Sequence, residues 1–243
     1  MRLELIPERP CIPVGDATSL PVLLRLTAPV VPQMARKPLN LCLVIDRSGS
    51  MAGEKLRQTI ASAKFVVERL APTDILSVVQ FDERVKVVIP PGPVTDRVHL
   101  CRRLDGIHDG GQTNLSGGWL RGAACVREKK SPEYINRVLL LTDGQANHGI
   151  VNPAILIKHA AELTEDGIGT TTLGYGDDFH EELLTALADA GRGNAYHVET
   201  ADQAPTVFAR ELEGLLAIAA QNVRITVTPS SLVRRVDLCS VVE

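Results

Sequence analysis

Three short oxygen-bearing side chains stand on alternate residues directly after an apolar run. The run covers residues 39–45, and Asp46, Ser48 and Ser50 follow it. Carboxylate and hydroxyl oxygens are the ligands that hard cations such as Mg²⁺ take in proteins. The same serines also suit the start of a helix, so this stretch alone leaves a metal site and a helix cap as alternatives.

The neighbouring sequence predicts where these side chains lie. The apolar run is typical of a strand buried on both faces, because it does not alternate between apolar and polar residues. Gly49 gives the chain freedom to turn, and a helical pattern begins after Gly53. Open α/β sheets bind ligands at the carboxyl ends of their parallel strands. We therefore expect the acid and the two serines at such an edge.

A second apolar strand ends in the same way. Residues 136–142 lead into Asp143 and Gly144. If the two strands are neighbours, the carboxylates of Asp46 and Asp143 lie close together and repel unless a cation compensates them. Thr113, on the glycine-rich loop 109–118, adds a hydroxyl from another direction. The predicted metal ligands are Asp46, Ser48, Ser50, Thr113 and Asp143. This oxygen set favours Mg²⁺, with Mn²⁺ or Ca²⁺ as substitutes.

Strand-like and helical patterns alternate between about residue 38 and residue 220. Residues 75–81 and 85–89 predict an antiparallel hairpin at one edge of the sheet, ended by the prolines of residues 90–93. Helices are predicted from residue 54, over 96–107 with a cap near Thr95, through 119–126, after Pro153, over 183–190 and over 205–220. This alternation predicts an α/β fold with a doubly wound sheet and helices on both faces.

The two chain ends differ from this central domain, predicted at 38–220. Residues 1–37 are rich in proline, and strand-like runs occur at 3–5, 20–27, 223–227 and 232–236. We expect 1–37 and 221–243 to form a small flanking β layer. The sequence stops in a strand-like run, which we interpret as part of a longer chain in which these segments would belong to a β-sandwich.

Composition excludes several classes of protein. Of the 243 residues 44% are hydrophobic but only 3% aromatic, so the core is aliphatic, and the net charge of −3 gives no electrostatic case for nucleic-acid binding. The five cysteines form no C-x-x-C pair. The first residues are too polar for a signal peptide, and no apolar run reaches the roughly 18–20 residues of a membrane span. We expect a cytoplasmic protein without a membrane span.

The ligand pattern resembles a known family. Asp46-x-Ser48-x-Ser50, Thr113 and Thr142-Asp143-Gly144 are similar to the metal-ion-dependent adhesion site (MIDAS) of von Willebrand factor type A domains. No position of the motif departs from the family pattern, and the resemblance covers roughly residues 38–220. Arg47, Met51 and the loop 110–118 make it similar to the bacterial members.

The resemblance implies more than the residues alone. It implies a six-stranded sheet with one antiparallel edge strand, and direct metal contacts from Ser48, Ser50 and, in one conformation, Thr113. The aspartates often contact the metal through water in such domains, and an Asp or Glu of a protein partner fills the open coordination position. We expect the rim facing that partner to contain Arg47, Met51, Gln112, Asn114, Gly144 and His148. For His148, a simple exposed loop residue is the preferred interpretation.

We interpret the chain as a metal-dependent protein-interaction module and not an enzyme, because the ligand set has no accompanying nucleophile and base. The first alternative is metal-assisted phosphoryl transfer or hydrolysis. Against it, the stretch at Asp46 lacks the second acid of an Asp-x-Asp motif, and no lysine lies near the site in sequence. The second alternative is a metal that only stabilises the loops.

A second cluster of acidic residues lies between residues 177 and 181. Asp177, Asp178, His180 and Glu181 lie close together in sequence and would allow a second metal site. The spacing of three residues between Asp178 and Glu181 fits a helix cap better than a metal site.

Overall fold

The structure is a computed structural model, and it describes residues 2–11, 19–27, 36–143, 146–176, 180–199, 203–216 and 225–237. The chain divides into two units. One holds residues 35–217, and the other holds both chain ends, 1–34 and 218–243.

Six strands form one sheet in the larger unit, in the spatial order β5-β4-β3-β6-β7-β8. They are β3 (Leu39–Asp46), β4 (Ile75–Phe81), β5 (Val85–Pro93), β6 (Ile135–Thr142), β7 (Gly169–Tyr175) and β8 (Ala195–Val198). Every neighbouring pair is parallel except β4 with β5. The predicted α/β fold, with a mostly parallel sheet and one antiparallel edge strand, is confirmed.

Helices cover both faces of this sheet. They are α1 (Glu54–Arg69), α2 (Arg97–Asp105), α3 (Leu115–Glu128), α4 (Pro153–Glu165), α5 (Glu181–Ala190) and α6 (Ala204–Leu216). All eight residues of β3 are buried. Cys42 and Val44 of this strand pack with α3, α4 and α5, and the residues between them face the opposite side because side chains alternate along a strand. None of the helices formed by the described residues is long and apolar enough to cross a bilayer.

Two element boundaries differ from the prediction. β5 does not stop before its prolines but continues to Pro93. An edge strand tolerates proline because its outward backbone needs no hydrogen-bond donor, and the pairing with β4 shifts register between Leu76 and Val79. Helix α2 runs over Arg97–Asp105, shorter than the predicted 96–107. Its cap is Asp96, next to Thr95 as predicted, and the Asp96 carboxylate accepts a 2.9 Å hydrogen bond from the His99 backbone.

The cap of α5 also differs from the prediction. Nδ1 of His180 accepts a 3.3 Å hydrogen bond from the Leu183 backbone, and the helix begins at Glu181. The residue that caps α5 is therefore His180, which directly precedes the helix. Asp177 and Asp178 lie outside the described residues, as does the end predicted for the last helix, 217–220.

A small two-stranded sheet forms in the other unit. β1 (Arg2–Pro7) pairs antiparallel with β2 (Val22–Thr27), both from the amino-terminal end. In the described stretch 225–237 no strand forms, so the strand predicted over 232–236 is wrong. Leu232 is 91% exposed, and apolar residues stabilise a strand only where they pack against a partner. The run at 223–227 lies partly outside the described residues.

Candidate metal centre

Asp46 lies at the carboxyl end of β3 and is fully buried. Its Oδ1 accepts a 2.8 Å hydrogen bond from the Ser48 backbone. Its Oδ2 accepts a 2.5 Å hydrogen bond from the hydroxyl of Thr142, the last residue of the neighbouring strand β6. The carboxylate is therefore held in one orientation by its own loop and by the next strand.

Burial raises the pKa of Asp46 to about 6. The hydrogen bonds from Thr142 and Ser48 lower this pKa in part, and the negative charge of Asp143 raises it. The site therefore concentrates negative charge in a place where water does not compensate it, and a nearby cation favours the ionised form of such an acid.

Ser50 lies in a short 3₁₀ turn and Ser48 directly precedes it, and neither serine caps helix α1. Ser48 precedes the turn Gly49–Met51, and among the described residues its side chain makes no capping hydrogen bond. The residue that caps α1 is Gly53. Instead, the hydroxyls of Ser48 and Ser50 lie 3.2 Å apart. Ser48 is 1% exposed and Ser50 is exposed, so the pair leads from the interior to the surface.

Thr113 is buried and fixed by the loop that follows β6. Its backbone nitrogen donates a 2.8 Å hydrogen bond to Oδ1 of Asn147. Its carbonyl accepts hydrogen bonds from the backbones of Asn147 and His148, at 3.3 and 3.1 Å. Asn147 was not among the predicted site residues, and a lone loop asparagine gives no signal by which sequence could find it.

Asp143 directly follows β6 and is 3% exposed. Its Oδ1 is buried and has no hydrogen-bond partner among the described residues. Its Oδ2 lies 3.6 Å from Nζ of Lys55. A buried carboxylate oxygen without a donor is costly, and a cation is one group that would satisfy it.

Backbone contacts join the loops that carry these residues. The Gly49 nitrogen donates to the Gly111 carbonyl at 3.0 Å, and the Gly110 nitrogen donates to the Arg47 carbonyl at 2.7 Å. Because Ile45 pairs with Leu141, β3 and β6 end side by side. The structure thus brings the loops after β3 and β6 and the glycine-rich loop to one sheet edge.

The donors at this edge fit a hard divalent cation. They are two carboxylates and three hydroxyls, an all-oxygen set of the kind that Mg²⁺ and Mn²⁺ prefer. Within the described ranges no group of three or more His, Cys, Asp or Glu side chains could hold a metal ion, so a cation at this edge would depend on the hydroxyls as well as the two carboxylates. The orphaned Oδ1 of Asp143 belongs to this oxygen set.

The sequence model of the von Willebrand factor type A domain matches residues 40–210. The chain belongs to this family. One relative of the type A domain is "Uncharacterized protein sll0103" of Synechocystis sp., which is 29% identical over 187 residues, 77% of this chain and 44% of that protein.

Two solved structures share the fold of this type A domain. The match with the von Willebrand factor type A protein from Catenulispora acidiphila has a TM-score of 0.65 at 23% identity, and it covers 74% of this chain and 43% of the Catenulispora chain. The match with proximal thread matrix protein 1 from the mussel byssus, with a zinc-occupied MIDAS motif, has a TM-score of 0.62 at 17% identity. It covers 73% of this chain and 48% of the mussel chain. The chain spans less than half the length of each of these three proteins.

Arg47 takes a structural position in this type A domain. Its guanidinium binds the carboxylate of Asp82 and donates a 2.9 Å hydrogen bond to the His108 carbonyl. Asp82, which is buried, also accepts hydrogen bonds from the Gly111 and Arg84 backbones, at 3.4 and 2.7 Å. The Arg47–Asp82 pair therefore holds the glycine-rich loop against β4. Sequence reasoning missed Asp82, which it treated as part of a hairpin turn.

The other residues predicted on the partner-facing rim divide into two groups. Met51 is fully buried, so the expectation that it lies on the rim is corrected. Asn114 caps α3 by accepting a 2.9 Å hydrogen bond from the Gly117 backbone. Gln112 and His148 are exposed beside the site, whereas Gly144 lies outside the described residues.

Lys55 is a further residue that sequence reasoning missed. The statement that no lysine lies near the site in sequence is wrong, because Lys55 follows Ser50 by five residues. The first turn of α1 places its ammonium beside Asp143. A helix that starts directly after the metal-site loop returns its first turn to that loop, and this geometry is the signal that would have found it.

Proposed function

We propose that this type A domain has an intact MIDAS that holds a divalent cation, with Mg²⁺ as the first candidate. The residues that would hold the cation are Asp46, Ser48, Ser50, Thr113 and Asp143. The observation that carries the proposal is the buried Oδ1 of Asp143. This oxygen has no hydrogen-bond partner among the described residues, and it belongs to the set of oxygen atoms that could bind a cation. The zinc in the MIDAS of the mussel protein supports the proposal, as a property of that relative.

We further propose that the site binds a carboxylate of a protein partner. A bound cation supplies a Lewis-acidic position that an Asp or Glu oxygen of the partner can occupy. The chain's own residues prepare this position: Thr142 and the Ser48 backbone fix Asp46, and Arg47 holds the glycine-rich loop through Asp82. The exposed Gln112 and His148, together with Gly144, are the proposed partner-contacting rim.

The remaining parts of the proposal concern the whole chain. We propose a type A domain at 38–220, with flanking β segments at 1–37 and 221–243. The cytoplasmic location expected from the sequence stays a prediction, which fractionation of the source cells checks.

An enzymatic role is the second candidate, because Lys55 supplies the cation that phosphoryl transfer would use beside a metal. We rank it lower because the position two residues after Asp46 is Ser48, not a second acid. We assign no catalytic residue. Metal-dependent hydrolysis of p-nitrophenyl phosphate that Asp46→Asn abolishes would reverse this ranking.

The experiment that tests the interaction module is affinity capture from source-cell extract with the immobilised chain. Three conditions are compared: Mg²⁺, EDTA, and EDTA followed by excess Mg²⁺. We expect partners to be retained in the first and third conditions only and to be lost with Thr113→Ala. Thr95→Ala, at an exposed position outside the site, is the matched control. Retention that EDTA does not change would contradict the carboxylate–metal mechanism.

A purely structural metal predicts a different pattern. In that case Thr113→Ala and Asp143→Ala would lower the melting temperature while partner capture stayed equal to that of the wild-type chain. The same variants therefore separate a metal that binds a partner from a metal that only stabilises the loops.

A further inference from the structure

Lys55 stands at the entrance of the proposed metal site. Its Nζ lies 3.6 Å from Oδ2 of Asp143, and its side chain is 37% exposed whereas that of Asp143 is 4% exposed. The lysine thus reaches from solvent to a nearly buried ligand.

The position of Lys55 in its helix is unfavourable for a cation. The first turn of a helix is the positive end of its dipole, where acids are stabilising and bases are not. The neighbouring Glu54 fits this rule and pairs with Arg57 and Gln58 on the surface. Helix stability therefore does not explain the lysine, but its contact with Asp143 does.

The fold also leaves room for the ammonium group. A Cβ built on Gly176, which follows β7 and has φ of +80°, would come within 3.0 Å of both Cε and Nζ of Lys55. This contact places Gly176 beside the ammonium group, although the flexible end of the lysine could shift to admit a side chain. The positive φ by itself favours glycine at this position.

Lys55 changes the net charge of the proposed metal site. Asp46 and Asp143 carry two negative charges, and the nearby Asp82 is already balanced by Arg47. Lys55 brings the net charge of the two ligands and the lysine to −1 without metal. With a divalent cation the net charge of the metal, the two ligands and the lysine is +1, whereas it would be zero without the lysine.

Resting on the proposed metal site, we propose that Lys55 determines the site's specificity: its ammonium competes with the metal for Asp143 and gives the metal-loaded site a net positive charge that selects an anionic partner group. The preferred partner is therefore an exposed Asp or Glu side chain. A neutral oxygen ligand gains nothing from the extra charge. The lysine weakens metal binding and strengthens carboxylate binding.

The two opposite effects can be measured separately, as the affinity for the metal and the affinity for a carboxylate. Lys55→Met removes the charge and keeps most of the apolar stem. We expect the affinity for Mn²⁺ to rise about tenfold and the affinity of the Mn²⁺-loaded protein for acetate to fall about threefold to tenfold, the size of one unit charge acting a few ångströms away in a partly exposed site. A lysine that only supports the fold would not change the two affinities in opposite directions.

The measurement uses Mn²⁺ and acetate as probes on the full chain. Electron paramagnetic resonance of free Mn²⁺ gives the metal affinity. Water proton relaxation of the Mn²⁺ complex gives acetate binding, because acetate displaces bound water. Lys55→Arg keeps the charge, so both of its affinities should stay close to those of the wild type. Lys55→Gln should show the same two changes as Lys55→Met, and it replaces Lys55→Met if methionine disturbs the fold. Lys158→Met, on α4 with a side chain 76% exposed, is the matched control.

The outcomes separate the two claims. If the wild-type chain binds no Mn²⁺, the proposed metal site fails and this inference fails with it. If the wild-type chain binds Mn²⁺ but Lys55→Met and Lys55→Gln leave both affinities unchanged, or lower both, the role of Lys55 is overturned while the metal site stands.

Discussion

A buried carboxylate at the end of a strand lowers stability unless its surroundings compensate it, and Asp46 is compensated at both oxygens. The Ser48 backbone serves Oδ1, and the Thr142 hydroxyl serves Oδ2. The second bond joins β3 to β6, so it fixes the acid relative to the strand that carries Asp143. Thr142 is therefore not a proposed ligand itself, but it holds the carboxylate of the proposed ligand Asp46 in place.

Replacing Thr142 with valine keeps the shape of the side chain and removes the donor. We expect Thr142→Val to lower the free energy of unfolding by about 1–3 kcal/mol, because a buried acceptor loses its partner. Urea unfolding in the presence of EDTA measures this cost without any contribution from metal. Thr95→Val, at an exposed position, should stay within about 0.5 kcal/mol of wild type. Equal stability of the two variants would contradict the role given to Thr142.

The site residues that could be predicted from the sequence are those that follow a recognisable strand. Asp46 and Asp143 were predictable as a pair because each follows an apolar strand, and their placement at one edge needs only that β3 and β6 are neighbours. Asp82 and Asn147 reach the site across loops that are far apart in sequence. Such contacts depend on the folded path of the chain, and no local pattern records them. Lys55 is different, because the start of α1 directly after the metal-site loop could have predicted its position.

At the scale of elements, the close approach of α3 to the sheet positions the glycine-rich loop that precedes it. Gly118 lies in this helix, and a Cβ built there would come within 2.4 Å of the Phe81 ring. Gly214 lies in α6, where a built Cβ meets no described atom within 4 Å. The two helical glycines thus have different roles.

Alanine substitutions should therefore have opposite effects at these two positions. We expect Gly118→Ala to destabilise the protein by about 1–3 kcal/mol, since a methyl group overpacks the interface with β4. We expect Gly214→Ala to stabilise it by about 0.5–1 kcal/mol through helix propensity. Urea unfolding of both variants checks the pair. Destabilisation by Gly214→Ala as large as that by Gly118→Ala would contradict the packing difference.

A buried polar network joins α6 to strands β7 and β8 of the sheet. Glu211 of α6 is 2% exposed. Its carboxylate accepts hydrogen bonds from Thr171, Asn194 and Tyr196, at 2.6, 2.8 and 2.9 Å. Burial and the charge of Glu211 raise the pKa of Tyr196 to about 12. Helix α6 is therefore held to the sheet by one carboxylate that accepts three hydrogen bonds.

Removing the charge of this acid should loosen the helix. We expect Glu211→Gln to cost about 1–3 kcal/mol of unfolding free energy, because an amide cannot accept all three hydrogen bonds. Glu213→Gln, at an exposed position two residues later in α6, should change stability by less than about 0.5 kcal/mol. Hydrogen exchange of the α6 amides shows whether the loss is local. Equal exchange in both variants would contradict the anchoring role of Glu211.

Element prediction succeeded where hydrophobic periodicity was strong and failed where tertiary pairing decides. The strand β3 and the helix α1 were found because each has a clear pattern of buried residues. The extension of β5 through its prolines depends on its being an edge strand. Residues 232–236 form no strand within the described stretch 225–237, where no described residue pairs with them. Neither fact is written in the local sequence.

At the scale of the whole molecule, the proposed metal site lies within the unit of residues 35–217. All five proposed ligands and Lys55 belong to this unit, and so do all six strands of the large sheet. Metal binding to the folded state alone stabilises a protein by mass action. The site should therefore act on the stability of this unit irrespective of the chain ends.

A fragment of residues 35–217 should fold and respond to metal as the full chain does. At a free Mg²⁺ concentration 100 times the dissociation constant, we expect stabilisation of about 2.7 kcal/mol and a melting temperature higher by roughly 5–10 °C. Thermal unfolding followed by circular dichroism, with Mg²⁺ and with EDTA, measures the shift. The same fragment with Asp143→Ala should show no shift. A shift in the full chain but not in the fragment would place the metal site elsewhere.

Anomalous diffraction from crystals of the chain grown with Mn²⁺ tests the central claim most directly. We predict a single strong anomalous peak at the edge of the sheet, bounded by the hydroxyls of Ser48 and Ser50 and the carboxylate of Asp143. Crystals of Asp143→Ala grown under the same conditions should lack it. A wild-type map without a peak at that edge, or with its strongest peak at another place in the chain, would contradict the account.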